Sequence, residues 1–193
     1  MQRYETEGMC MAFICVIHDQ RSKYKLIILN NRDEMLERPT LELGWRGNIL
    51  SGVRARTTFL GIYVLGNSEA STPFKKVSYG QKLFEEVITN LDENTTVTEI
   101  IGKLLDIGSD RMVCFPDPQV RLQCGDNGDN LYRYLCSIMV QFPNSVRYGT
   151  RSHSIFIVDR NDNATFYEKS MYEIPEDVEN AKWVEKTFHF KLK

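Results

Sequence analysis

Three groups of residues in this 193-residue sequence have types and spacing that could do chemistry. The first is Cys10, which follows Met9 inside the apolar run MCMAFICVIH. A cysteine at the start of a buried strand ordinarily serves as a small core hydrophobe. It becomes a nucleophile when it is itself N-terminal, because its own α-amino group can then take the thiol proton. Residues 1–8 stand in front of Met9, so that chemistry requires processing. The second group is Asn31-Arg32-Asp33-Glu34. Polar side chains after an apolar strand ordinarily form a solvated loop. Arg32 can also hold a carboxylate or phosphate through paired hydrogen bonds. Asp33 could help a thiol only indirectly, since a nearby carboxylate raises a thiol pKa. The third group is Arg147-Tyr148-Gly149-Thr150-Arg151-Ser152. It suits a turn in which backbone N–H groups and a guanidinium meet an anion. It suits equally a plain entry into the next strand.

Other site chemistry is sparse. There is no glycine-rich nucleotide fingerprint, no zinc-protease helix motif and no serine-hydrolase elbow. The five cysteines, Cys10, Cys15, Cys114, Cys124 and Cys136, include no C-x-x-C pair. Neither a disulfide framework nor a zinc site is expected, and a reducing compartment fits. His18, His153 and His189 stand apart, and each is expected on the surface. Any of them could bind haem iron axially, as could a Cys or Met, and the sequence does not select among them. Arg54, Arg56, Lys75 and Lys76 are expected as solvated surface, with attraction for propionates or phosphates as the alternative.

The elements that must position these groups follow from hydrophobic pattern. Residues 9–18 and 24–30 predict two strands of a hairpin, with 31–37 as a charged loop. A turn-and-strand unit is expected within 44–52 and a further strand over 59–65. Thr72-Pro73 predicts a helix start whose apolar face carries Phe74, Val77, Phe84 and Val87. Thr96-x-x-Glu99 is a capping box that opens a second helix, ended by Gly108. Residues 116–130 are rich in Gly, Asp and Asn and predict an exposed loop. Strands are expected again at 135–140, 154–158, 165–169 and 187–192, with a hairpin turn at 159–163. Strands, then helices, then strands predict an α+β layered sheet.

The length supports one domain with its own core, and the balance of 42% hydrophobic and 26% charged residues is that of an ordinary globular chain. A net charge of −2 gives no reason to expect nucleic acid. No apolar run is long enough to cross a bilayer. The polar stretch 1–8 is read as an N-terminal extension that is neither a secretory signal nor a basic presequence, with 9–193 as a single domain. A cytoplasmic location is the expectation, with room for peripheral membrane contact.

Taken together, Met9-Cys10, Asn31-Arg32-Asp33-Glu34 with Arg38-Pro39, Ile49-Leu50-Ser51-Gly52, Phe59-Leu60-Gly61-Ile62, Gly66-Asn67-Ser68, Thr72-Pro73-Phe74, Tyr148-Gly149-Thr150-Arg151-Ser152 and Phe166-Tyr167-Glu168-Lys169 resemble the Transport and Golgi organisation 2 family, also called the NRDE family. The resemblance covers nearly the whole chain. It implies an N-terminal-nucleophile-like αββα sandwich. In the related cholylglycine hydrolase branch a leading cysteine is the nucleophile, with an arginine and an aspartate on the next strand. By that likeness Cys10, Arg32 and Asp33 would be catalytic if the chain hydrolyses anything. For binding, the implied residues are Asn31, Arg32, Asp33, Glu34, Thr150 and Arg151. Animal members are associated with intracellular haem trafficking, with lipid or acyl-coenzyme A handling, and with cytosol, mitochondria and Golgi. The expectation is therefore a haem- or acyl-coenzyme A-carrying protein that needs no cofactor and no metal site. A cysteine amidohydrolase acting on C–N bonds and a secretory-pathway interaction protein are the alternatives. Two departures from the family stand out. Cys10 is not second in the chain, and only Tyr63-Val64-Leu65 stands between Ile62 and Gly66, where members carry a longer segment. An internal deletion and an incomplete sandwich are expected.

Overall fold

A computed structural model describes residues 9–38, 45–46, 49–50, 61–69, 71–124, 132–173 and 176–192. The extension 1–8, Pro39, Ser51, Gly52, Arg54, Arg56, Phe59 and Leu60 lie outside the described residues.

The apolar N-terminal run forms strand β1 (Met11–Val16), and the chain turns back as β2 (Tyr24–Met35). Their antiparallel register runs from Met11 opposite Asn31 to Val16 opposite Leu26. Two short strands, β3 (Trp45–Arg46) and β4 (Ile49–Leu50), pair with each other. Strand β5 (Gly61–Leu65) then pairs with β1. Helices α1 (Lys75–Thr89), α2 (Val97–Gly108) and α3 (Pro118–Cys124) follow. The chain closes with β6 (Tyr148–Asp159), β7 (Asn163–Met171) and β8 (Trp183–Lys191). The main sheet has six strands in the order β5-β1-β2-β6-β7-β8. All its pairs are antiparallel. This is the mixed α+β class that the sequence predicts. No helix of the described residues is long and apolar enough to cross a membrane.

Alternation along the strands builds the core. Met11, Phe13 and Cys15 of β1, Ile27 and Leu29 of β2, and Ile155 and Ile157 of β6 join one cluster with Val77 and Phe84 of α1 and Ile100 and Leu104 of α2. Each such side chain, once buried, contributes about 1.5–3 kcal/mol. Phe13 meets Phe84 edge-on at 5.6 Å. The alternate residues Ile14, Ile28, Val158 and Phe166 are buried as well, on the opposite face of the sheet.

The predicted capping box is present at α2: Glu99 N donates to Thr96 Oγ1 at 3.2 Å, and Thr96 N donates to Glu99 Oε2 at 2.7 Å. Helix α1 begins at Lys75, two residues after Pro73, with Phe74 at its N-cap. Phe74 has no capping side chain, and the buried Asp117 serves instead, accepting from Lys75 N at 2.6 Å. Its other oxygen accepts from Gln119 N at 3.0 Å, at the start of α3.

Three expectations are corrected. Residues 31–35 are not a loop, because β2 runs on to Met35 opposite β6. Residues 116–130 are not simply a loop, because α3 lies within them. The stretch 135–140 is not a strand: a 3-10 turn spans Arg133–Cys136, and the chain then runs irregularly. Leu135, Ile138 and Val140 are buried, which imitates a strand pattern in sequence. The backbone partners, however, are loop groups: Met139 N donates to Asp110 O, and Cys114 N donates to Cys136 O.

Candidate functional site

Because β2 continues through Asn31-Arg32-Asp33-Glu34, pleating sends alternate side chains to opposite faces of the sheet. Asn31 and Asp33 turn toward the helices, and Arg32 and Glu34 turn away. A register shift against β6 falls between Arg32 and Asp33 and makes Arg151 the extra residue.

Asn31 is fully buried. Its Nδ2 donates to Gly108 O at 2.8 Å and to Ile138 O at 3.3 Å, so it ties the end of α2 to the sheet. Its Oδ1 lies 2.8 Å from His153 Nδ1. A carbonyl oxygen can only accept, so Nδ1 carries the proton. His153 is 2% exposed and stacks on Trp183 at 5.5 Å, which corrects the expectation of a surface histidine. Burial, helped by the charge of Lys169, pushes its pKa down to about 4. A Cβ on Gly108 would sit 2.9 Å from His153 Nδ1 and 3.0 Å from Asn31 Oδ1, so the close approach of α2 requires that glycine. His189 and His18 are exposed as expected.

Asp33 is 1% exposed. Its Oδ1 accepts from Thr150 Oγ1 at 2.6 Å, and that hydroxyl in turn accepts from Val140 N at 2.8 Å. Its Oδ2 is buried with no hydrogen-bond partner. Burial raises the Asp33 pKa to about 7, against the opposing pull of Lys76 and of Thr150. Lys76 is fully buried, which overturns its reading as solvated surface, whereas Lys75 is exposed. Lys76 Nζ donates to Met9 O at 3.4 Å. Burial lowers its pKa, and Asp33 is the largest compensating charge.

Cys10 is half-buried, and its Sγ donates to the Asp33 carbonyl at 3.7 Å. Burial raises the thiol pKa, more than the Asp33 hydrogen bond and Arg32 lower it. The thiol is therefore protonated at neutral pH. Met9, directly before it, is 2% exposed, and its N–H donates to Tyr148 Oη at 3.0 Å.

On the other side of β2 a charged cluster gathers. Glu34 pairs with Arg32 at 3.5 Å and with Arg38 at 2.7 Å, and Glu37 pairs with Arg147 at 2.7 Å. Arg151 donates to Arg38 O at 2.7 Å, and its Nε is buried with no partner. Burial lowers the Arg151 pKa, and the charge of Arg32 adds to that. Among the described residues, the Arg32, Arg38, Arg147 and Arg151 guanidiniums gather here with the Glu34 and Glu37 carboxylates, and guanidinium forks suit an anion.

The fold thus splits the predicted site. Asn31, Asp33 and Thr150 are buried among structural partners, Cys10 stands between, and Arg32, Glu34 and Arg151 line the outer cluster. Sequence reading named Lys76, Tyr148 and His153 but missed the buried contacts that each makes. Lys76 carried a signal, since it lies four residues before Gly80 on the buried stripe of α1. Tyr148 carried none, because its role depends on a distant backbone N–H. Among the described residues, no group of His, Cys, Asp or Glu side chains could hold a metal ion.

A family model described as Transport and Golgi organisation 2 matches residues 9–62 and 54–173. The Transport and Golgi organization 2 homolog of Mus musculus is 30% identical over 132 residues, covering 68% of this chain and 45% of its own length. The homolog of Homo sapiens has the same identity and coverage. The Transport and Golgi organization protein 2 of Drosophila melanogaster is 28% identical over 127 residues, covering 65% of this chain and 43% of its own length. The chain spans less than half the length of these relatives.

Proposed function

The chain belongs to the Transport and Golgi organisation 2 family, and from that premise we propose that it binds and carries an amphipathic anionic molecule, haem or an acyl-coenzyme A, and does not hydrolyse one. Such a carrier would act in lipid or haem homeostasis in the cytoplasm, with Golgi or mitochondrial association. The observation that carries the reading is the outer gathering of the Arg32, Arg38, Arg147 and Arg151 guanidiniums, with the Arg151 Nε buried and without a hydrogen-bond partner. Propionates and phosphates both accept the planar fork of a guanidinium. Against hydrolysis stands Cys10, whose thiol is held protonated and whose nitrogen is bonded to the buried Met9.

The family's αββα sandwich is part of the proposal. One six-stranded sheet with α1 and α2 on one face supports half of such an arrangement. An internal deletion is supported by the family match, which falls in two pieces that overlap at 54–62 and so meet at the start of β5.

The test is titration of the purified chain with haem, followed by its Soret band, and with palmitoyl-coenzyme A, followed by calorimetry. At least one is expected to bind saturably. Arg32→Ala is expected to weaken that binding about tenfold, equivalent to about 1.4 kcal/mol. Added salt is expected to weaken it too, because the contacts are partly exposed. Failure of both ligands to saturate, or affinity indifferent to Arg32→Ala, overturns the reading. Steady release of a carboxylic acid from an acyl amide would establish hydrolysis instead.

A further inference from the structure

A cleft elsewhere on the molecule shares no lining residue with the Arg32 cluster. It has a volume of about 470 Å³, within the range of small-molecule sites. Three segments converge on it: the residues that follow α2, the irregular stretch 133–143, and the turn Val178–Asn180. Its apolar side is formed by Val113, Tyr134, Met139 and Phe142. The Tyr134 and Phe142 rings lie 5.3 Å apart, and Val113 is 40% exposed. Its polar side carries two cations, Arg111 and Arg133.

The cleft already holds one carboxylate, and it is the chain's own. Glu179 lies 3.4 Å from Arg111 Nη1 and accepts from Gln141 Nε2 at 2.5 Å. Its turn is docked by Asn144, whose Oδ1 accepts from Val178 N at 2.9 Å and whose Nδ2 donates to Asp177 at 3.2 Å. Guanidinium and amide thus form a carboxylate-binding fork beside an aromatic wall. The Arg111 and Glu179 side chains are 54% and 64% exposed, so their pairing is weak and open to exchange. We propose that this cleft binds a small aromatic monocarboxylate, whose carboxylate displaces Glu179 from Arg111 and Gln141 while its ring rests on Tyr134 and Phe142. Arg133 supplies the second positive charge at the rim.

The probe is 2-naphthoate, titrated into the full chain and followed by the backbone amide shifts of 137–142. Saturable binding with shifts confined to the cleft is expected. Glu179→Gln removes the competing carboxylate and is expected to tighten binding several-fold. Arg111→Gln is expected to weaken it about tenfold, the loss of a charge-assisted contact. The uncharged 2-naphthamide is expected to bind more weakly than the acid. Both substituted side chains are exposed, and unchanged melting temperatures in the two variants keep the comparison sound. The proposal fails if 2-naphthoate does not saturate in either the parent or Glu179→Gln. It fails equally if acid and amide bind alike, or if Arg111→Gln leaves the affinity unchanged.

Discussion

Thr150 serves two buried groups with one hydroxyl. It donates to Asp33 Oδ1 and accepts from Val140 N, while its own N–H donates to Val140 O at 2.8 Å. Valine would keep the shape and lose both side-chain contacts. Each buried group left unsatisfied costs about 1–3 kcal/mol. Thr150→Val is therefore expected to lower stability by about 3 kcal/mol, seen as a lower urea midpoint at unchanged slope. Thr150→Ser keeps the hydroxyl and should recover most of that loss. Equal losses in Val and Ser variants would mean that the methyl packing matters and the pairing does not. The sequence identified Thr150 and Asp33 as members of one site, and the fold joins them. It did not reveal that their partnership is internal, because burial at that point is decided by α1 and the 137–140 stretch, distant in the chain.

Helix α1 reaches the sheet through a glycine. A Cβ on Gly80 would stand 2.9 Å from Phe13 Cε1 and 3.2 Å from Ile138 Cδ1, both in fully buried residues. In an open helix, alanine in place of glycine gains about 1 kcal/mol. Overpacking a core costs about 1–3 kcal/mol. The second effect wins at Gly80, and Gly80→Ala is expected to lower the melting temperature. At Gly102 of α2 a Cβ would meet nothing within 4 Å, and Gly102→Ala is expected to raise it. Opposite signs in the two variants are the check, and a gain at both would mean that Phe13 and Ile138 yield easily. The helices were legible because their apolar spacing and the Thr96 cap are local signals. The end of β2 was not legible, since its inward-facing side chains are Asn31 and Asp33, and a strand with polar residues on its buried face shows no hydrophobic alternation. The stretch 135–140 failed the other way, with a strand-like apolar pattern whose backbone bonds go to loops.

Across the whole molecule, two buried groups on the paired strands β2 and β6 titrate in opposite senses. Asp33, raised from the ordinary 3.8 to about 7, holds a proton in the folded state that the unfolded chain has released. Its contribution to stability is full below the ordinary carboxylate value and is lost as pH rises through about 7. His153, lowered from 6.5 to about 4, refuses a proton that the unfolded chain accepts. Its contribution is full above the ordinary histidine value and is lost as pH falls through about 4. Between about 4 and 6.5 the folded state thus carries one extra proton and lacks another, so the two slopes oppose each other and largely cancel. Each taken alone is worth about 1.4 kcal/mol per pH unit, and both groups are at most 2% exposed, so solvent screens neither. Removing one should uncover the other. Subtracting the parent's pH profile cancels the exposed carboxylates common to all three proteins. On that difference scale, His153→Gln is expected to lose stability steadily as pH rises from 4.5 to 6.5. Asp33→Asn is expected to gain it over the same interval. Urea midpoints at five or six pH values read both slopes, whatever constant offset each substitution adds. Flat difference profiles for both variants would show that neither group titrates in that window, and that the buried polar layer beneath β2 and β6 keeps one protonation state throughout.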